Sequence, residues 1–167
     1  MVTILDAETP DQIAQIRVLI EEYRAYLRRE IDHEMPEAEV PTVAALDQEL
    51  EALPGAYIPP RGCLLLATLD GEPAGCIALL PFNPVSAEVK RLWVRPEARG
   101  HKVGRRLVET LIGRARQAGY RDVLLSSSVR MTDAQSLYRS LGFVVIAPYF
   151  DGPEAFMAQE VFMRLVL

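Results

Sequence analysis

The sequence predicts an α/β fold of the mixed-sheet (α+β) kind, in the order β-α-α-β-β-β-α-β-α-β-β. Three observations carry this. Short apolar runs alternate with segments whose apolar residues recur every three or four positions. Asp70-Gly71 joins two apolar runs, the signal of a tight antiparallel hairpin. Residues 87–126 read strand, helix, strand, which calls for a right-handed parallel crossover. A mixed sheet with helices on its faces follows. The 167 residues are enough for one domain, expected to span 1–167.

Val2–Leu5 is the first strand. Thr9-Pro10-Asp11-Gln12 opens a helix, with Thr9 as cap, Pro10 at the first helical position and Gln12 completing a capping box. Ile13, Ile16, Ile20, Tyr23 and Leu27 form its apolar face. Residues 30–41 are acidic, contain Pro36 and Pro41, and read as a loop. A second helix carries Val43, Leu46, Leu50 and Leu53 on one face and stops at Pro54-Gly55. Cys63–Leu69 and Glu72–Leu80 flank the hairpin turn, and Ala87–Val94 is the next strand. A long helix runs from Lys102 to Gln117, with Val103, Leu107, Leu111 and Ala115 in phase and Gly119 as its stop. Asp122–Ser126 is a strand. Thr132 to Gln135 reads as a second capping box, opening a short helix that Gly142 ends. Phe143–Ile146 and Val161–Leu167 complete the sheet.

Composition narrows the function. Half the residues are hydrophobic and a quarter charged, which excludes disorder. The longest apolar stretches are too short and too broken for a membrane span, and the N-terminus lacks a signal-peptide pattern. Cys63 and Cys76 form no disulfide framework, and the two histidines, His33 and His101, have no metal-site spacing. A cytoplasmic chain with free thiols and no metal is expected. The net charge of −5 divides unevenly: residues 1–60 sum to −9 and residues 88–121 to +7. An acidic protein with one basic stretch suits a small polyanion better than nucleic acid. A solvated basic helix face is the alternative.

The basic stretch holds the most informative segment. A strand ends at Val94, a turn containing Gly100 follows, and a helix begins among Arg99, Lys102 and Arg105. Unpaired N–H groups and the positive end of the macrodipole make such a helix start a phosphate site. The spacing is neither a Walker loop nor G-x-G-x-x-G, and a purely structural turn would share the pattern.

Arg99-Gly100-His101-Lys102-Val103-Gly104 resembles the pyrophosphate loop of the GNAT superfamily of N-acetyltransferases, whose pattern is Arg/Gln-x-x-Gly-x-Gly/Ala. Ala134-x-x-Leu137-Tyr138-x-x-x-Gly142-Phe143 is similar to that family's A-x-x-L-Y-x-x-x-G-F segment. The element order matches over nearly the whole chain. Lys90–Val94 and Pro148-Tyr149 look like a bacterial-type group of undefined acceptor. Two residues depart from the pattern: Lys102 replaces its middle Gly, and Met131 stands where many members have Asn.

The resemblance implies a GNAT-like fold with a mostly antiparallel sheet splayed between strands 4 and 5. It implies acetyl-CoA as acyl donor, held by Leu92, Trp93, Val94, Arg99, Gly100, His101, Lys102, Val103, Gly104 and Arg105. The acceptor would be a primary amine of a small molecule, amino acid or peptide, attacking in a ternary complex. Glu88 would be the general base and Tyr138 the acid for the leaving thiolate. Tyr23, Tyr26, Glu34, Tyr57 and Tyr149 would border the acceptor, with the acidic rim around Glu34 favouring a cation. The resemblance also suggests a homodimer. The rival expectation is an acyl-CoA-binding sensor or scaffold without turnover.

Overall fold

A computed structural model describes residues 1–31 and 45–167. Its core is a seven-stranded sheet in the order β1-β2-β3-β4-β5-β7-β6. The strands are β1 (Val2–Asp6), β2 (Cys63–Leu69), β3 (Glu72–Pro81), β4 (Ser86–Val94), β5 (Asp122–Ser128), β6 (Val144–Ile146) and β7 (Glu160–Val166). The helices are α1 (Pro10–Tyr26), α2 (Leu46–Ala52), α3 (Val103–Gln117), α4 (Thr132–Ser140) and α5 (Glu154–Met157). All strand pairs are antiparallel except β4 and β5.

Both faces of the central strands are buried, so β2 and β3 read as unbroken apolar runs rather than alternating ones. Successive side chains still point to opposite faces. Leu65, Ala67, Ile77 and Leu79 pack with Leu107, Leu111 and Ala115 of α3. Leu64, Leu66, Cys76 and Ala78 pack with Ile16, Leu19 and Ile20 of α1 and with Leu46 and Leu50 of α2.

Most of the local sequence signals act at their own positions. At Thr9 the capping box forms in both directions. Asp70 and Gly71 both take positive φ, 52° and 92°, as a tight hairpin turn of this hand requires. The second capping box does not form. The α4 helix starts one residue early, with Met131 at its cap position and no side-chain cap bond. Thr132 is thereby inside the helix and cannot cap it. Gln135 instead donates to the Ser128 carbonyl at 2.8 Å, tying α4 to the end of β5. Three short features have no counterpart in the sequence pattern: a π-helical turn, Leu27–Ile31, that extends α1; a 3₁₀ turn, Pro96–Ala98; and α5. Val43 and most of the expected acidic loop lie outside the described residues. Among those described, no helix is long and apolar enough to cross a membrane.

The β4 strand departs from regular pairing on both sides. Its pairing with β5 covers only Ser86, Ala87 and Glu88, opposite Asp122, Val123 and Leu124. Beyond Glu88 the two strands have no paired residues. Toward β3, Lys90 pairs Ala78 and Trp93 pairs Cys76. Arg91 and Leu92 therefore oppose the single residue Ile77. This is a β-bulge, and Arg91 takes the left-handed conformation there, φ 59°.

Candidate active site

The turn between β4 and α3 offers a run of unused donors. Arg106 N–H makes the first bond of the helix, to the Lys102 carbonyl at 3.0 Å. Among the described residues, the backbone N–H groups of residues 100–105 make no hydrogen bond. Gly100 (φ 83°) and Lys102 (φ 62°) are both left-handed. Alternating left- and right-handed residues turn successive N–H groups toward one point and form an anion nest. The left-handed Lys102 explains why the resembling pattern carries Gly at that position. At Gly104 an added Cβ would lie 3.4 Å from Leu137 and 3.5 Å from Val94, ordinary contact distances.

This loop forms one wall of a cleft of about 470 Å³. Arg99, Gly100, Lys102, Val103, Gly104 and Arg105 line it, with Leu92, Trp93 and Val94 of β4 opposite the first turn of α4. Nine of the ten residues assigned from the resemblance to the donor thus come together. His101 does not: it is exposed and does not line the cleft.

The cations of the wall are held in place. Arg99 stacks over Trp93 and Tyr26, 5.5 and 5.8 Å from their ring centres. Arg105 donates to Glu109 at 3.1 Å and to Ser140 at 2.8 Å. The Trp93 indole N–H donates to Glu22 at 3.2 Å, and Glu22 also pairs with Arg95 at 2.7 Å. The Arg95 hydrogen bonds hold the Glu22 carboxyl below its usual range, against burial, which raises it. Arg130, Met131 and Thr132 line the cleft from α4 and the turn before it.

Past the bulge the cleft continues into the gap between β4 and β5. Tyr23, Val89, Lys90, Leu92, Ser126, Ser127 and Tyr138 border it. Tyr138 is buried, with its ring 5.4 Å from that of Phe143. Burial, and to a lesser degree the nearby Tyr23, raise its pKa, so the phenol keeps its proton at neutral pH. Glu88 lies at the closed end of the gap and is only 6% exposed. It does not line the cleft. Its Oε1 accepts from Tyr149 Oη at 2.7 Å and from Lys90 Nζ at 3.0 Å. The charged residues that border the gap are Lys90 and Arg91.

The five residues expected around an acceptor do not converge. Tyr23 lines the gap. Tyr26 belongs to the donor cleft, its ring 5.1 Å from that of Trp93. Tyr149 binds Glu88 and packs edge-on against Phe82, Phe150 and Phe162. Tyr57 is a core residue, buried beneath α2, and lines a separate cavity beside Asp6 and Pro54. The turn at Pro54-Gly55 folds it inward. Glu34 and His33 lie outside the described residues.

One element of the site was missed altogether. Arg91 makes a two-pronged ion pair with Glu49 of α2, Nε to Oε1 at 2.9 Å and Nη2 to Oε2 at 2.6 Å. The Tyr57 hydroxyl also bonds Glu49. This ties the bulge of β4 to α2. An arginine within a strand was the available signal, but its partner is 42 residues away. Among the described residues, no group of three metal-ligating side chains is arranged to hold a metal.

The description "Acetyltransferase (GNAT) family" belongs to the family model that matches residues 18–143. A Schizosaccharomyces pombe protein described as an uncharacterized N-acetyltransferase is 32% identical, over 98% of this chain and 94% of its own. With that relative fungal, the expectation of a bacterial-type member is unsupported. Among solved structures, a Streptococcus agalactiae acetyltransferase superposes with a TM-score of 0.74 at 21% identity, covering 99% of this chain and 98% of its own. The PaiA N-acetyltransferase of Thermoplasma acidophilum, solved with coenzyme A, gives 0.73 at 19% identity, covering 100% and 99%.

Proposed function

The chain belongs to the acetyltransferase (GNAT) family and is an acyltransferase, and from that premise we propose that it moves an acetyl group from acetyl-CoA to a primary amine of a small molecule, amino acid or peptide. The observation that carries this reading is the single cleft joining the unbonded N–H groups of residues 100–105 to the unpaired stretch of β4. The first feature suits a pyrophosphate. The second offers backbone donors and acceptors to an extended amide chain, as a missing strand would.

In this reading the amine attacks the thioester carbonyl directly within a ternary complex. A carbon–nitrogen bond forms as the carbon–sulfur bond breaks. The oxyanion that develops needs a preorganised donor, and a backbone N–H of β4 near Leu92 supplies it. Tyr138, protonated and buried beside the gap, donates to the departing thiolate. The amine must shed a proton. We assign it to Glu88, through water, because Glu88 stands behind Lys90 rather than on the cleft wall. A cytoplasmic setting and a homodimer belong to the same proposal.

The test is release of free CoA thiol from acetyl-CoA across a panel of amines, amino acids and peptides. Acceptor-dependent release is expected. Tyr138→Phe should lower kcat by about tenfold or more, within the range of a general acid, with the KM for acetyl-CoA unchanged. The sole tryptophan, Trp93, lines the cleft, so its fluorescence should report acetyl-CoA binding. A fluorescence response with no acceptor-dependent thiol release would make the protein an acetyl-CoA-binding module instead.

A further inference from the structure

Among the described residues, Lys90 and Arg91 are the cations that border the gap between β4 and β5; Arg91 is buried in its two-pronged pair with Glu49, and Lys90 is the more exposed of the two. Lys90 borders both spaces in that gap, the one reaching Tyr138 and the one reaching Phe156 and Glu160. The Lys90 side chain is 26% exposed, while that of its partner Glu88 is 7% exposed. The carboxylate is inside and the ammonium is at the surface of the cavity. Tyr149 fixes Glu88 from behind. A lysine ammonium has three N–H donors, and Glu88 accepts one of them. Ser126, Ser127 and Ser128 of β5 line the same space. An ammonium with further donors can take a carboxylate through a charge-assisted hydrogen bond. Glu160, on β7, borders the same space and gives it a negative pole.

We propose that Lys90 selects acceptors that carry a carboxylate beside the amine, namely free amino acids and similar zwitterions, over amines that lack one. The proposal rests on the acetyl-transfer reading and names its substrate class. The spacing is compatible. Lys90 precedes the bulge, and Leu92, where the thioester is assigned, follows it on the same strand at about 3.3 Å of rise per residue. One end of a small zwitterion can meet Lys90 while its amine faces the donor. A plain cationic amine would bring like charge against Lys90 and leave the ammonium without an added anion. The acidic rim expected around Glu34 pointed to the opposite preference.

The experiment compares matched pairs in the thiol-release assay: phenylalanine with phenethylamine, leucine with isopentylamine, and each amino acid with its carboxamide. The wild type should favour the carboxylate member in kcat/KM by roughly tenfold or more, the scale of one charge-assisted hydrogen bond. In Lys90→Met that ratio should fall toward one, while acetyl-CoA binding read by Trp93 fluorescence is unchanged. The ratio cancels any effect that the substitution has on both members. A second measurement needs no variant: N-acetylphenylalanine should inhibit the wild type about tenfold more strongly than N-acetylphenethylamine. Equal use of both members by the wild type, equal inhibition, or a preference that survives Lys90→Met overturns the proposal. If no member of the panel releases thiol, it is the acetyl-transfer reading that fails, and the selectivity of Lys90 fails with it.

Discussion

Replacing Glu49 with Ala should destabilise the protein more than its position on a seven-residue helix would indicate. The Arg91 side chain is 8% exposed and that of Glu49 19%. Both prongs of the pair are short, 2.9 and 2.6 Å. Removing one partner strands a buried guanidinium, which costs about 3–5 kcal/mol. For a domain whose total stability is on the order of 5–15 kcal/mol, that is a large fraction. It corresponds to a fall in Tm of roughly 6–20 °C for a chain of this size. Removing both charges in Glu49→Leu/Arg91→Met should recover most of the loss, since two apolar side chains have no desolvation to offset. Urea unfolding followed by Trp93 fluorescence measures all three proteins. A Glu49→Ala loss under about 1 kcal/mol, or a double variant no better than the single one, would show that the pair is solvated and refute the argument.

The same pair fixes a pH dependence. Burial raises the Glu49 pKa, but the Arg91 hydrogen bonds and charge, with the Tyr57 hydroxyl, outweigh it and hold the carboxyl below its usual range. A carboxyl depressed on folding adds stability that is complete above its unfolded pKa of about 4.3. That stability is lost as pH falls through the folded value. The gap between wild type and Glu49→Ala should therefore be constant from pH 7 to about pH 5 and close below pH 4.

Lys102→Gly removes a left-handed side chain, worth about 1 kcal/mol of strain, and adds a comparable loss of glycine's chain freedom, so urea stability should change by less than about 1 kcal/mol. Acetyl-CoA binding should nevertheless weaken, and its dependence on salt should become shallower, because one cation leaves the cleft wall. Cys63 and Cys76 are buried, and burial raises both thiols to about 12. The native protein should not react with a disulfide reagent at neutral pH, and both thiols should titrate in urea; rapid native labelling would contradict the packing of β2 and β3.

Local chemistry made much of the fold legible. The Thr9 cap, the Asp70-Gly71 turn and the glycines at 100, 119 and 142, all with positive φ, act through a few adjacent residues. The turn with its unbonded N–H groups was legible for the same reason, because a helix start displays those groups whatever lies elsewhere. What stayed hidden depends on distant partners. Gln135 looks like a cap residue until the Ser128 carbonyl claims its amide. Tyr57 looks like a loop aromatic until α2 covers it. The α5 helix has four residues, too few to show a period.

The bulge in β4 is the instructive case, since it changes which residues share a face. In a regular strand Lys90 and Leu92 would point the same way. Here Lys90 pairs Ala78 and Trp93 pairs Cys76. Ala78 and Cys76 both face the core beneath α1. Lys90 and Trp93, three residues apart, therefore share that side, while Val89, Leu92 and Val94 pack toward α3. The extra residue is Arg91, and its buried pair with Glu49 holds the shift in place. One strand can thereby put the indole of Trp93 in the donor cleft and the ammonium of Lys90 in the gap beyond it. A reading by strict alternation assigns Leu92 to the face of Lys90 and loses the connection. Loosening the Arg91–Glu49 pair should thus disturb the two substrates together, which places α2 within the machinery of the site although the donor cleft contains none of its residues.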